Sequence, residues 1–143
     1  VAVMTDLLEV GAGDRVFEVG TGCGYHAAVV AEIVGPGNLY TAEYVPELAD
    51  AARERLANLG YDITVRTGDG RTAYSDEQPF DAAYLTCAAS DGVPEAVIER
   101  VRTGGRVIAP IGDRDAQRLV RLTARADGID REDHGGVRFV PMQ

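Results

Sequence analysis

The sequence contains no lysine: all 14 basic residues are arginine, set against 23 acidic residues for a net charge of −9. The arginines are scattered along the chain. Binding to a phosphate backbone rests on clustered Arg and Lys, so no nucleic-acid partner is expected. A lysine-free acidic surface fits work at high salt, where carboxylates hold a hydrated surface and their mutual repulsion is screened. Drift in a GC-rich genome would leave the same composition. No apolar run approaches the roughly 18 to 20 residues of a spanning helix, and no basic-then-apolar leader opens the chain. No membrane partner is expected, and a cytoplasmic monomer is the economical reading. Cysteine is scarce too, at two residues, Cys23 and Cys87. These are too few for a disulfide framework and lack metal-ligand spacing, so free thiols and no metal are expected. A reversible disulfide between them is the minor alternative, because both fall at the ends of strands read below as neighbours. The two histidines, His26 and His134, have no partner pattern for metal or triad chemistry and read as structural or surface residues.

What is present is concentrated in residues 15–24, RVFEVGTGCG. An apolar strand runs through Glu18 into Gly20, Gly22 and Gly24, with Thr21 and Cys23 between them. Glycine at every second position leaves a turn without side chains, where a ligand can lie against backbone as the strand hands over to a helix. Gly22, Gly24 and Ala27 also satisfy the G-x-G-x-x-A spacing of a dinucleotide site. Glu18 is the discriminating residue. Beside a pyrophosphate it would add repulsion of several kcal/mol, by order of magnitude, in a poorly hydrated cleft. A ligand with a sulfonium and an ammonium and no phosphate, S-adenosylmethionine, has the opposite preference. The next strand ends at Glu43, where an acidic residue about 20 positions past the glycines binds ribose hydroxyls in such units. Tyr44 follows, placed to cover one face of an adenine. After the third strand, Gly68, Asp69 and Gly70 form a turn whose carboxylate is placed to accept from an adenine amino group; taken alone, the triplet is only a turn signal.

The 143 residues, 45% hydrophobic, fit one domain over 1–143, with no repeat or linker. Helices are expected at 1–8, 25–34, 46–59 and 94–101, and strands at 15–19, 38–42, 63–67, 80–85 and 106–109. Gly35-Pro36-Gly37 stops the second helix, Pro46 stands in the first turn of the third, and Gly60 caps its end. Alternating strands and helices imply a doubly wound α/β fold, a parallel sheet of order 3-2-1-4-5 with right-handed crossovers and helices on both faces. The crevice then opens between strands one and four, where the order reverses. Beyond Pro110 two strand-like runs around Asp127-Gly128 read as an antiparallel pair closing the sheet edge.

EVGTGCGYHAAVVAEIVG, YTAEYVPELADAARERLANLGY, GDG, PFDAAYLTCAA, TGGRVIAPIG and VRFVPM, in order and over nearly the whole chain, resemble the protein-L-isoaspartate O-methyltransferases. The first four blocks occur loosely in many S-adenosylmethionine-dependent methyltransferases; GYHAAV, TCAA and VRFVPM are more particular. The resemblance implies a Rossmann-like class I methyltransferase sheet with an antiparallel C-terminal pair. It also implies methyl transfer to the free carboxyl of L-isoaspartyl residues in damaged proteins, leaving S-adenosylhomocysteine. The cofactor set would be Glu18, Gly20, Thr21, Gly22, Cys23, Gly24, Glu43, Tyr44, Asp69 and Gly70. Thr86, Ala88 and Ala89 would floor the space between cofactor and peptide, and Val137 and Val140 belong to a closing segment that runs near the peptide. The family's active-site serine lies in a Thr-Ile-Ser-x-Pro stretch ahead of the helix at which this sequence begins, so no catalytic residue is assigned within it. The sequence is therefore expected to be part of a longer protein; a cofactor-binding unit without turnover is the other reading.

The implied chemistry needs no general base. The methyl is activated by positive sulfur and a carboxylate nucleophile is ionised at pH 7. Holding its oxygen about 3 Å from the methyl, in line with the sulfur, is worth up to roughly 7 to 11 kcal/mol. Two rivals remain at this point: another class I methyltransferase acting on RNA or a small metabolite, and an NAD-binding oxidoreductase domain.

Overall fold

The computed structural model describes residues 1–77 and 79–143. Its elements run α1 (Ala2–Leu8), β1 (Val16–Val19), α2 (Tyr25–Val34), a 3-10 turn (Pro36–Asn38), β2 (Leu39–Glu43), α3 (Pro46–Asn58), β3 (Thr64–Thr67), β4 (Phe80–Leu85), α4 (Glu95–Ile98), β5 (Val101–Gly112), β6 (Gln117–Arg125) and β7 (Gly128–Val137). One seven-stranded sheet has the order β3-β2-β1-β4-β5-β6-β7. Pairing is parallel from β3 to β5 and antiparallel at β5–β6 and β6–β7. The expected order and C-terminal pair are both present.

Two apolar layers sandwich the sheet. On one face Val16, Tyr84 and Ile108 meet α1, α2 and α3 through Leu8, Val30 and Leu56. On the other, Phe17, Phe80 and Val107 pack with Tyr74 and Val97. All four residues of β1 are buried, as a central parallel strand covered on both faces requires. Phe17 stacks on Phe80 at 5.5 Å between centroids, and Tyr40 and Tyr74 meet edge to face at 5.3 Å. The Tyr74 hydroxyl donates between the carbonyls of Thr41 (3.0 Å) and Thr64 (2.8 Å), bridging β2 and β3. Tyr74→Phe removes that donor and is expected to cost about 1 kcal/mol, read from the denaturant midpoint. An unchanged midpoint would assign the bridge no net worth.

The second face departs from expectation. The helix expected over 94–101 is only the four residues Glu95–Ile98, and turns around Tyr74 cover the rest of that face. Gly104-Gly105 does not separate a helix from a strand. Phe80 pairs with Val101 and Ala82 with Arg106, so residues 102–105 bulge from β5 opposite Asp81. Gly105 permits the bulge, since a Cβ there would lie 2.6 Å from the Asp81 carbonyl oxygen. β5 also runs on to Gly112, because β6 pairs with it from Arg106 to Gly112.

Arginines from β5 and β6 fix α1. Arg106 and Arg121 donate to the carbonyls of Leu8 and Leu7, and both pair with Glu9, capping the helix C-terminus with positive charge. The outer strand β7 is exposed over most of its length and carries Asp130, Arg131, Glu132 and Asp133, which deter pairing with another chain. No helix among the described residues is long and apolar enough to cross a membrane.

Candidate functional site

The carboxyl ends of β1, β2, β3 and β4 meet around a crevice of about 350 Å³, within the range of small-ligand sites. The Gly20–Gly24 loop forms one side. Gly20 is held by its N–H to the Ala42 carbonyl (2.8 Å) and by the Thr86 hydroxyl, which donates to its carbonyl. Its φ is +95°, and a Cβ there would sit 2.5 Å from Thr86 Oγ1, so no other residue fits without displacing the loop. Gly22, with φ +54°, has open space where a Cβ would stand, so the bare backbone faces the crevice and leaves it clear for a ligand.

Glu43 closes the opposite side. Its Oε2 accepts from the Gly22 N–H (2.9 Å) and its Oε1 from the Val45 N–H (3.0 Å). The carboxylate therefore ties the glycine loop to the turn that starts α3. Tyr44 stands beside it, 55% exposed along the rim. Asp69 and Gly70 form the next wall. Of the roughly four acceptor positions on the Asp69 carboxylate, its own turn takes most: the Arg71 N–H donates at 2.8 Å and the Arg71 guanidinium forks across both oxygens. That pairing holds the Asp69 carboxyl below its usual range.

Glu18 is corrected. Its side chain does not reach the crevice; it is fully buried on the opposite face of β1 from Val19, which does. The Thr41 hydroxyl donates to Glu18 Oε2 and accepts from the Thr21 hydroxyl (2.7 Å). Burial, opposed by that hydrogen bond, pushes the Glu18 carboxyl up to about 8. At neutral pH it is protonated, so the repulsion argued against a pyrophosphate does not operate, and Glu18 supports the loop from beneath through two hydroxyls.

Other sequence-selected residues also sit elsewhere. Thr21 is buried in that hydroxyl chain and Gly24 opens α2 against Leu56. Cys23 is exposed and Cys87 lines the crevice, both as free thiols; burial pushes the Cys87 thiol up to about 11. Ala88 and Ala89 line a second cavity of about 620 Å³. Val137 is corrected: it ends β7 and packs against the α1–α2–α3 layer, not into either cavity, while Val140 lines the crevice. His26 is buried, its ring 4.3 Å from that of Tyr84 and its Nε2 3.0 Å from Thr5 Oγ1, joining α1 to α2.

The C-terminal tail carries wall residues: Pro141 belongs to the closing segment expected near the peptide, while Met142 and Gln143 were not singled out from the sequence. The Ala88 N–H donates to Val140 O (2.7 Å) and Met142 N–H to Ala88 O (2.9 Å), so the tail adds a short strand along 88. Pro141, Met142 and Gln143 line both cavities and form their shared edge. The apolar VRFVPM run was the available signal.

The family model for protein-L-isoaspartate(D-aspartate) O-methyltransferase matches residues 1–143. A protein-L-isoaspartate O-methyltransferase of Methanopyrus kandleri is 48% identical over 99% of this chain and 64% of its own length. Protein-L-isoaspartate O-methyltransferase 2 of Archaeoglobus fulgidus is 46% identical over 100% of the chain and 66% of its own. The chain thus spans less than two thirds of either relative. A solved protein-L-isoaspartate O-methyltransferase superposes with a TM-score of 0.90 at 26% identity, covering 99% of this chain and 46% of that one. A Plasmodium falciparum structure in complex with S-adenosyl-L-homocysteine shares the fold at a TM-score of 0.79 and 22% identity, over 99% of this chain and 70% of that one.

Proposed function

Because the chain belongs to the protein-L-isoaspartate(D-aspartate) O-methyltransferase family, we propose that it methylates the free carboxyl of L-isoaspartyl residues in damaged proteins, with S-adenosylmethionine as donor and no metal. The observation that carries this reading is the pair of cavities sharing the Pro141–Gln143 edge, a donor crevice built on the glycine loop and an adjoining space floored by Ala88 and Ala89. The open position at Gly22, the Glu43 carboxylate and the Asp69-Gly70 turn fit a nucleoside with a charged tail. When bound, the donor supplies a methyl already activated for transfer. The chain's own contribution is position: Glu43 and Thr86 hold the loop, Gly70 and Tyr44 flank the base, and the tail forms the edge between the cavities. An isoaspartyl carboxylate needs no base to ionise at neutral pH, and no residue of the chain is assigned a proton-transfer role.

The acidic surface favours a protein acceptor over RNA, whose phosphates it repels. We read the chain as one domain of a monomeric, cytoplasmic protein without nucleic-acid or membrane partners, its lysine-free surface adapted to salt. The test is transfer of labelled methyl from S-adenosylmethionine to an isoaspartyl peptide and to its aspartyl twin, by the full-length protein in molar salt. Label on the isoaspartyl peptide alone is expected. Equal labelling of the two would discard the repair assignment, and donor binding without labelling would leave a binding unit without turnover.

A further inference from the structure

One buried cation beside the donor crevice has no carboxylate in hydrogen-bond contact among the described residues. Arg100 follows α4 and is 5% exposed. Its Nη1 donates to the carbonyls of Gly70 (3.2 Å) and Ala73, and its Nη2 to the carbonyl of Arg71. The guanidinium carbon lies 5.7 Å from the centroid of the Phe17 ring. Burial lowers its pKa from the ordinary value, but a guanidinium stays charged. Taking such an ion out of water costs several kcal/mol unless its donors are satisfied, about the scale for a single buried charge. Here three carbonyls of one turn accept from three of its five N–H donors. The dependence is mutual, because among the described residues no other protein donor reaches those carbonyls.

The turn held in this way is a wall of the crevice. Asp69 and Gly70 line it, and Gly70 lies so close to the end of β1 that a Cβ would stand 2.5 Å from Val19 Cγ1. A planar fork reaching three carbonyls at once fixes where the turn sits on β1; a lysine in its place is a point charge on a flexible stem. We infer that Arg100 is a positioning residue for the donor site, clamping the 69–73 turn where Asp69 and Gly70 face the nucleobase. The inference rests on the donor reading above.

The test is calorimetric titration of the full chain with S-adenosylhomocysteine and with S-inosylhomocysteine, whose base carries a carbonyl where adenine carries its amino group. The unaltered protein is expected to prefer the adenine ligand by at least about tenfold, since a site arranged for a donor rejects the analogue that lacks it. Arg100→Met is expected to bring the ratio within about twofold, with Arg100→Lys between the two, because a lysine still reaches one carbonyl. A merely structural arginine would weaken both ligands alike and leave the ratio unchanged, and that result overturns the clamp while sparing the donor reading. If the unaltered protein binds neither ligand, the donor reading falls and the clamp with it. Should Arg100→Met fail to fold, Arg100→Lys decides by the same ratio.

Discussion

Glu43→Ala is expected to lower stability by about 3 kcal/mol or more and to weaken S-adenosylhomocysteine binding by tenfold to a hundredfold, about 1 to 3 kcal/mol. The first effect follows from the native partners. The carboxylate accepts from the Gly22 and Val45 N–H groups, and it is largely buried at 7% exposure. Hydrogen bonds to a charged group contribute roughly 1.5 to 3 kcal/mol each, and both donors would be left without an acceptor. The melting temperature should fall by roughly 10 °C at this chain length. The second effect follows from position, since Gly22 and Glu43 both line the crevice and the loop loses its tie to α3. Glu43→Gln separates the two. Its amide keeps one acceptor oxygen and turns an NH2 group toward the second donor, so it should recover part of the stability and little of the binding. A lower melting temperature with an unchanged dissociation constant would make Glu43 a structural tie alone.

Stability is expected to be level from about pH 4.5 to 6.5 and to fall from there to pH 8, and Glu18→Gln should remove the fall. In the folded chain Glu18 ionises near 8, against 4.5 when exposed, chiefly because burial penalises its charge. Between those values the folded state keeps a proton that the unfolded state has released, so raising the pH favours unfolding. His26 acts in the opposite sense: burial lowers it from 6.5 to about 4, and the unfolded chain then holds the extra proton. Its contribution grows as the pH rises through that window and is complete above 6.5. The two slopes oppose each other below 6.5; above it Glu18 acts alone. The rate is about 1.4 kcal/mol per pH unit, roughly 2 kcal/mol by pH 8. The groups facing Glu18 are Thr41, Tyr84 and, at longer range, the Glu43 charge, while carboxylates such as Asp69 and Asp81, lowered by arginine, exert their effect in acid. Denaturant midpoints at pH 6.5 and 8 read the slope. A slope that survives in Glu18→Gln would assign the titration to another group.

The crevice was legible before any contact was known because its signals are local. Three glycines at alternate positions, a proline opening α3 and an acid ending β2 act within a few residues of themselves, and each of those elements forms where patterning places it. Glu18 was misplaced for a related reason. A parallel strand buried on both faces gives no polar alternation to show which way a side chain points, and only its partner Thr41, 23 residues away, shows that the acid is turned inward. Gly104-Gly105 misled in a similar way: a glycine pair signals a turn, but between two partner strands it becomes a bulge.

Order along the chain was enough for the sheet, the switch-point crevice and the family resemblance, since strand–helix alternation and glycine spacing are properties of neighbouring residues. Which side chains face the crevice, which are consumed in holding it, and which lie beneath it came from pairings across the sheet. Arg100 reaches the turn at Gly70, 30 residues away, and the tail at Val140 returns to Ala88. Such commitments depend on distance in space, and the free energy of a buried polar group is set by the partner it meets there.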